Sequence, residues 1–176
     1  MSQPLTMPFR RRCILRSDIC QARSSAGRWD RSTMSDQKIE APNESDIRDI
    51  ARALIHADQV VSEALGSKLN GSRADLLLIQ KLLDAGTVER EATYTLQALG
   101  LAFGKVFIEE NADYDWWMVQ DEFGRDPAIR YRQSGLLAYP RTMISKRIED
   151  GESVNVTELF DGLCRRMEDL VERGWL

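Results

Sequence analysis

The chain has 176 residues, with 24 basic side chains, 28 acidic side chains and one His, which gives a formal net charge of −4 at pH 7. This length suits one domain with a hydrophobic core and is too short for two ordinary domains and a linker. The charge is unevenly divided, because residues 1–33 carry seven Arg and two Asp, net +5, whereas residues 34–176 carry 17 basic and 26 acidic groups, net −9. A net charge of −9 disfavours nucleic acid as a partner, since a polyanion is repelled.

The first 43 residues are predicted to lie outside the folded domain. Residues 1–33 are rich in Arg and Ser and show no hydrophobic period, which is typical of a disordered basic arm. Such a segment is similar to a mitochondrial transit peptide, to a nucleic-acid-binding arm, or to an untranslated region upstream of the true start. We favour the third interpretation, because Met34-Ser35-Asp36 begins a polar leader that runs into a helix. The single folded domain is expected over residues 44–176.

Neither a secretory signal nor a membrane span is predicted. A signal peptide needs an apolar run of about 7 to 15 residues after its basic start, and the run Cys13-Ile14-Leu15 ends at Arg16. No run approaches the ~18 apolar residues of a membrane span. Cys164 is the one Cys after residue 33, so the folded part cannot form an internal disulfide, which fits a reducing compartment. We therefore expect a cytoplasmic protein.

Three helices are predicted before the strands, each from apolar residues that recur at helical spacing. The first is capped by Ser45 and ends at Gly66, the second is capped by Ser72, and the third and central one begins at Thr87. Gly100 and Gly104 lie inside this third helix, where each costs about 1 kcal/mol of helix propensity relative to Ala. We expect this cost to be offset by the close approach of another backbone segment.

A small antiparallel sheet is predicted next. From Tyr114 to Asp121 the hydrophobic period changes to two, which indicates a strand with Trp116 and Trp117 on opposite faces. At most one of the two Trp side chains can therefore belong to the main core. The remaining predicted parts are a turn from Phe123 to Pro127, a strand from Ala128 to Arg132 and a strand from Leu136 to Tyr139.

Two further helices follow the strands. Pro140 suits the first position of a fourth helix, which Gly151 ends. Asn155 is the predicted cap of the fifth helix, with Glu158 as its capping-box partner three residues later. Together the elements predict an α+β fold, in which about five helices pack on a three-stranded antiparallel sheet.

No catalytic residue, metal site or cofactor is predicted from the residue pattern. His56 is the only His, and it falls in the middle of the first helix without a second His or a Cys nearby. A catalytic triad or a His-based metal site is therefore very hard to build.

Five acidic residues surround the first strand, namely Asp113, Asp115, Asp121, Glu122 and Asp126. They have three interpretations: solvated charges paired with nearby Arg, contacts to a partner, or carboxylates that hold a hard cation or act as acid and base. Asp121 and Glu122 are adjacent and point to opposite faces of a strand, which weakens a paired-carboxylate site. We favour solvated charges here.

The same region combines Trp117 with several Arg side chains, a composition that is typical of protein-binding hot spots. The alternative, that Trp117 packs under the terminal segment Gly174-Trp175-Leu176, remains open. A basic phosphate-binding face that includes Arg141 is the weaker interpretation. Basic residues commonly occupy the solvent-exposed side of an amphipathic helix without binding phosphate. The predicted binding residues are Trp117, Asp121, Glu122, Arg125, Asp126, Arg130 and Arg141.

Three segments in combination point to a known family. They are Leu96–Gly104 (LQALGLAFG), Asp121–Tyr131 (DEFGRDPAIRY) and Tyr139–Glu152 (YPRTMISKRIEDGE). From about Leu76 to Leu163 the chain resembles the bacterial domain-of-unknown-function family 3806. The resemblance implies a bacterial, cytoplasmic protein, and it implies no catalytic residues.

The sequence favours a non-enzymatic module that binds an unidentified protein partner, and an immunity-like protein that caps a basic toxin is a specific form of this hypothesis. The alternative is a metal-dependent or acid/base hydrolase that uses the acidic cluster from Asp113 to Asp126.

Overall fold

The computed structural model describes residues 37–122 and 124–174. The interpretations of residues 1–33, of Met34 as the start and of Trp175-Leu176 as a covering segment lie outside these residues. Within the described ranges the fold is α+β, with five helices and four strands, which confirms the predicted class and helix number. The elements are β1 (Lys38–Glu40), α1 (Glu44–Leu65), α2 (Ala74–Asp84), α3 (Thr93–Glu110), β2 (Tyr114–Asp121), β3 (Gly124–Tyr131), β4 (Leu137–Ala138), α4 (Pro140–Glu149) and α5 (Val156–Glu172).

The sheet is antiparallel with the strand order β1-β2-β3-β4, so the prediction of three strands was one short. The additional strand β1 pairs with β2, with Ile39 opposite Val119, and it lies in the segment that we had assigned to the polar leader. A strand of three residues is too short to show a hydrophobic period, which explains why the sequence pattern missed it. The folded part therefore begins before residue 44.

Strand β3 begins at Gly124, whereas the sequence pattern predicted a turn up to Pro127. Pro127 pairs with Met118 of β2, although Pro has no N–H group to donate to a neighbouring strand. Strand β4 pairs only with Ile129 and Arg130 of β3. Among the described residues, the side of β3 that faces away from β2 therefore has no neighbouring strand at Pro127. The missing donor is tolerated there, and the β2–β3 hairpin extends by four residues over the predicted one.

The starts of α4 and α5 agree with the sequence, and the predicted cap of α1 was wrong. Asn155 caps α5 by accepting a hydrogen bond from the Glu158 N–H at 3.1 Å, and Pro140 is the first residue of α4, as predicted. Helix α1 is capped by Asn43 rather than Ser45, since the Asn43 side chain accepts from the Asp46 N–H and the Asp46 carboxylate accepts from the Asn43 N–H. This reciprocal arrangement is a capping box.

The other two helices start later than predicted, and neither has a side-chain cap. Helix α2 starts at Ala74, because the nearby Asp75 carboxylate accepts from the Asn70 and Gly71 N–H groups and orders the preceding loop. Helix α3 starts at Thr93 rather than Thr87, after a turn that the Arg90 side chain ties to the Glu149 carbonyl at the end of α4.

Helix α3 lies at the centre of the core, and its two glycines allow the close approach that the sequence predicted. A Cβ atom on Gly100 would lie 2.4 Å from the Pro140 carbonyl oxygen and 2.9 Å from that of Arg141. A Cβ atom on Gly104 would lie 2.7 Å from the Pro140 ring and 2.8 Å from the Trp116 side chain. Helix α4 therefore packs directly on the backbone of α3. None of the described helices has the length and apolar character needed to cross a membrane.

Candidate functional site

The two faces of the sheet carry different side chains. Trp116 reaches Gly104 of α3, and the Tyr114 ring packs edge-on against Phe107 with centroids 5.0 Å apart, so these residues define the inner face. Strand alternation then places Trp117 and Val119 on the opposite, outer face. Trp116 packs against the main hydrophobic core and Trp117 does not, which confirms that only one of the two Trp side chains belongs there.

The outer face contains a second buried apolar cluster. Val119 is 2% exposed and Ala128 is fully buried, yet neither belongs to the main core. Their cross-strand partners on the same face are Ile39 and Trp117, both half-buried. We call the following residues the outer patch: Ile39, Trp117, Val119, Ala128, Arg130, Leu137 and Tyr139.

Trp117 and Arg130 form the centre of the outer patch. The Arg130 guanidinium carbon lies 4.3 Å from the centroid of the Trp117 ring, within the range of a cation–π interaction. Two backbone carbonyls hold the guanidinium in place: Nε donates to the Ser134 oxygen at 2.6 Å and Nη2 donates to the Gln133 oxygen at 2.7 Å. The loop after β3 thus fixes a cation above a half-exposed indole.

Tyr139 closes the other side of the outer patch. Its hydroxyl accepts a hydrogen bond from Nε2 of Gln37 at 2.8 Å, just before β1. Burial raises the pKa of Tyr139 above its usual value, the Gln37 bond opposes this, and the negative charges of Asp121 and Asp126 add to the rise. Tyr139 is therefore neutral at physiological pH, and two of the predicted binding residues, Asp121 and Asp126, lie close enough to influence it.

Arg125 lies on the inner side of the sheet, away from Trp117. Its Nε and Nη2 groups donate to the two carboxylate oxygens of Asp46 at 3.1 and 2.8 Å, and its Nη1 group donates to Glu40 at 2.9 Å. The Arg125 hydrogen bond lowers the pKa of Asp46, and hydrogen bonds from Lys38 and then Arg125 lower the pKa of Glu40. We call Glu40, Asp46 and Arg125 the inner ion cluster. It joins β1, α1 and β3, and it engages all three guanidinium nitrogens of Arg125.

Arg141 lies in the first turn of α4, at the mouth of a cleft of about 440 Å³. Its Nε group donates to Oε1 of Gln97 at 3.0 Å and its Nη1 group donates to Oδ1 of Asp126 at 2.6 Å. The cleft lies between α1, α3 and the inner side of the sheet. Its lining residues are Asp46, Asp49, Ile50, Arg52, Ala53, Tyr94, Gln97, Ala98, Leu101, Met118, Arg125, Pro127 and Arg141.

The predicted acidic cluster does not converge on one point. Asp113 pairs with Arg132 at one end of the β2–β3 hairpin, with an oxygen–nitrogen distance of 3.2 Å, and Asp126 pairs with Arg141 near the other end. Six residues of extended strand separate these positions, which corresponds to roughly 20 Å. Glu122 is exposed in the hairpin turn. In the part of the chain that the structure describes, no group of three His, Cys, Asp or Glu side chains is arranged to hold a metal ion.

The seven predicted binding residues are thus split between two regions. Trp117 and Arg130 form one region with Asp121 nearby, and Arg125 and Arg141 face the cleft. Asp126 lies at the margin between the two regions, and Glu122 is exposed in the hairpin turn. Sequence analysis missed Ile39 and Tyr139 as members of the outer patch. Alternation from Ala138, which packs in the core, places Tyr139 on the outer face, so this residue could have been found; Ile39 has no such signal.

Comparisons with known proteins give a family and a fold. Residues 75–160 match the model of a family described as "Domain of unknown function (DUF3806)", which confirms the resemblance predicted from the sequence. No curated protein matches the chain. A crystal structure at 1.50 Å resolution from Bacteroides thetaiotaomicron VPI-5482 is similar in fold, with a TM-score of 0.67 and 19% identity. The similarity covers 72% of this chain and 47% of that one, so the chain matches about half the length of that protein.

Proposed function

We propose that this chain, whose residues 75–160 match the DUF3806 family model, is a non-enzymatic module that binds another protein through the outer patch. The family resemblance supports the cytoplasm of a bacterium as the setting of this interaction. The proposal concerns recognition alone, and the surface that carries it is the half-exposed Trp117 with Arg130 fixed above it.

The single observation that supports the proposal is the rigid Trp117–Arg130 pair on the outer face. Trp and Arg are the residue types most enriched among interface hot spots. Binding a partner normally costs free energy because flexible side chains must be ordered, and this cost is smaller where a side chain is already held. The carbonyls of Gln133 and Ser134 already hold Arg130 in the free protein. Trp117 and Arg130 are therefore suited to act as a preorganised anchor.

The charge around the outer patch supports a basic partner. Asp115 is exposed opposite Arg130, Asp121 lies at the end of β2, and Glu122 is exposed in the following turn. Residues 34–176 carry a net charge of −9, which accelerates the approach of a positively charged protein and repels an acidic one. We propose a partner whose contact surface has an apolar centre surrounded by Lys or Arg. An immunity-like protein that neutralises a basic toxin is one form of this proposal.

The direct test is capture of a partner from native lysate with the full chain and three variants. We expect a stoichiometric partner that is lost with Trp117→Ala and with Arg130→Met. Arg132→Met is the matched control, because the Arg132 guanidinium also lies over an aromatic ring, that of Tyr131, at 5.1 Å, but near the Asp113 end of the hairpin. Its partner recovery is expected to equal that of the unmodified chain.

Retention of the partner by both Trp117→Ala and Arg130→Met would show that the outer patch is not the binding surface. Capture of no stoichiometric protein at all would count against the binding-module proposal as a whole. The immunity-like form has its own test, in which loss of the gene is expected to increase sensitivity to a neighbouring toxic effector. Unchanged sensitivity would contradict that form while leaving the general proposal standing.

A further inference from the structure

The cleft between α1, α3 and the inner side of the sheet has the dimensions of a ligand site. Its volume of about 440 Å³ lies within the range of roughly 300–1,000 Å³ that is typical of small-molecule pockets. The cleft floor is apolar, since Ala98, Leu101, Met118 and Pro127 line it and are all buried. Its volume and floor fit the apolar body of a small organic molecule.

Two guanidinium groups that line the cleft, those of Arg52 and Arg141, have donor capacity to spare, since among the described residues Arg52 donates only from Nη2, to Asp49 at 2.7 Å. Arg141 has Nε and Nη1 engaged with Gln97 and Asp126, and among the described residues its Nη2 group has no hydrogen-bond partner. Arg125, which also lines the cleft, differs because all three of its nitrogens already donate to Asp46 and Glu40. Arg141, whose side chain is 35% exposed against 71% for Arg52, is therefore the less solvated of the two guanidinium groups that can donate to a ligand's anionic end.

The bond between Arg141 and Asp126 indicates which anion this guanidinium suits. A carboxylate matches the planar donor fork of Arg, and Asp126 already supplies one carboxylate oxygen at 2.6 Å. The Asp126 side chain is 53% exposed, so this ion pair is worth little and exchanges readily with water or with another carboxylate. The lining carries three Arg and two Asp, a net charge of +1, which suits a singly charged anion better than a multiply charged one such as a phosphate.

We propose that the cleft binds a small monocarboxylate with an apolar body. The apolar body lies on the floor formed by Leu101 and Met118, and the carboxylate lies against Arg141, replacing or sharing the contact with Asp126. This site is separate from the outer patch, and it would add a small-molecule ligand to a module that we propose for protein recognition.

Octanoate is a suitable probe, because it combines an apolar chain of seven carbons with one carboxylate. We expect titration of the isotope-labelled full chain to shift the NMR signals of Ala98 and Leu101 and to leave those around Trp117 unchanged. Octanamide, which has the same body without the charge, is expected to bind at least tenfold more weakly. Equal binding of octanoate and octanamide, or shifts confined to the outer patch, would overturn the proposal without any variant.

Variants of Arg141 test the role of the guanidinium. Arg141→Met is expected to weaken octanoate binding at least tenfold, and Arg141→Lys, which keeps the charge but not the fork, is expected to give an intermediate value. Arg132→Met is the matched control, since Arg132 also pairs with a partly exposed Asp on the β2–β3 hairpin but lies outside the cleft. If Arg141→Met and Arg141→Lys both bound octanoate within twofold of the unmodified chain, Arg141 would not be the carboxylate site.

Discussion

The inner and outer faces of the sheet are both buried in part, but for different reasons. The inner face is covered by α3, where Gly104 lets the Trp116 side chain contact the helix closely. On the outer face Val119 and Ala128 lie beside the sheet's own side chains, Ile39 and Trp117, and outside the main core. Substitutions on the inner face should therefore change the stability of the fold, whereas substitutions on the outer face should change binding more than stability.

The largest effect is expected where α3 and α4 meet behind the inner face. Gly100→Ala places a Cβ atom 2.4 Å from the Pro140 carbonyl oxygen, and the backbone of α4 cannot move away without disturbing its packing on α3. We expect a loss of about 3 kcal/mol in the free energy of unfolding, at the upper end of typical overpacking costs. Urea unfolding followed by circular dichroism measures it.

Gly162→Ala is the matched control for that substitution. Gly162 also lies inside a helix, α5, but a Cβ atom there would have no neighbour within 4 Å. Because Ala is the better helix former, we expect Gly162→Ala to raise the stability by about 0.5 to 1 kcal/mol. If Gly100→Ala lowers the free energy of unfolding and Gly162→Ala raises it, contact with α4, and not helix propensity, decides the result at Gly100. If both substitutions change the free energy of unfolding in the same direction, the close approach is refuted.

The second prediction compares the adjacent Trp residues directly. Trp116→Ala removes a side chain that packs against the core, and we expect it to cost about 3 kcal/mol of stability. Trp117→Ala removes a half-exposed ring and its cation–π contact with Arg130, for which we expect about 1 kcal/mol. Denaturant unfolding of both variants measures the difference. Similar losses from the two substitutions would mean that the outer patch is as important to the fold as the core.

The sequence predicted the two faces of β2 correctly, because eight residues of period-two pattern determine which side chains share a face. The position of Arg125 depended on a different question, namely where β3 begins. With a turn predicted up to Pro127, Arg125 had no assigned face. With the strand starting at Gly124, alternation from the core residue Ile129 places Arg125 on the inner side. Its partner Asp46 is 79 residues away, and no local pattern indicates that contact.

The third prediction concerns the inner ion cluster and acid. The pKa values of Asp46 and Glu40 are lowered in the folded protein, so both carboxylates bind fewer protons when folded than when unfolded. Their contribution to stability is therefore fully present above the unfolded pKa values, near pH 4, and is lost as the pH falls below them. We expect the unmodified chain to lose stability from pH 6 to pH 3.

Arg125→Met isolates the contribution of the cluster to this acid response. Without the guanidinium Asp46 loses its ion-pair partner and Glu40 keeps only Lys38, so we expect the variant to be less stable at pH 6 and to have a flatter pH dependence down to pH 3. Arg132→Met, which alters a more exposed ion pair on the same hairpin, serves as the control with an unchanged slope. Urea unfolding across this pH range measures the free energy of unfolding of each chain. If its pH dependence is the same for the unmodified chain and Arg125→Met, the inner ion cluster does not cause the acid response.

The smallest effect is expected where β1 meets the outer patch. Tyr139→Phe removes the hydroxyl that accepts from Gln37 and keeps the ring, so we expect a loss of about 0.5 kcal/mol, as for a partly exposed hydrogen bond. Hydrogen exchange of the β1 amides should accelerate about twofold while that of α3 stays the same, because the bond holds only the strand end. Tyr94→Phe, at a more exposed ring on α3, is the matched control and should change neither quantity. Unchanged exchange in β1 after Tyr139→Phe would mean that strand pairing and the Glu40–Arg125 contact alone hold this strand, and that the outer patch is closed without Gln37.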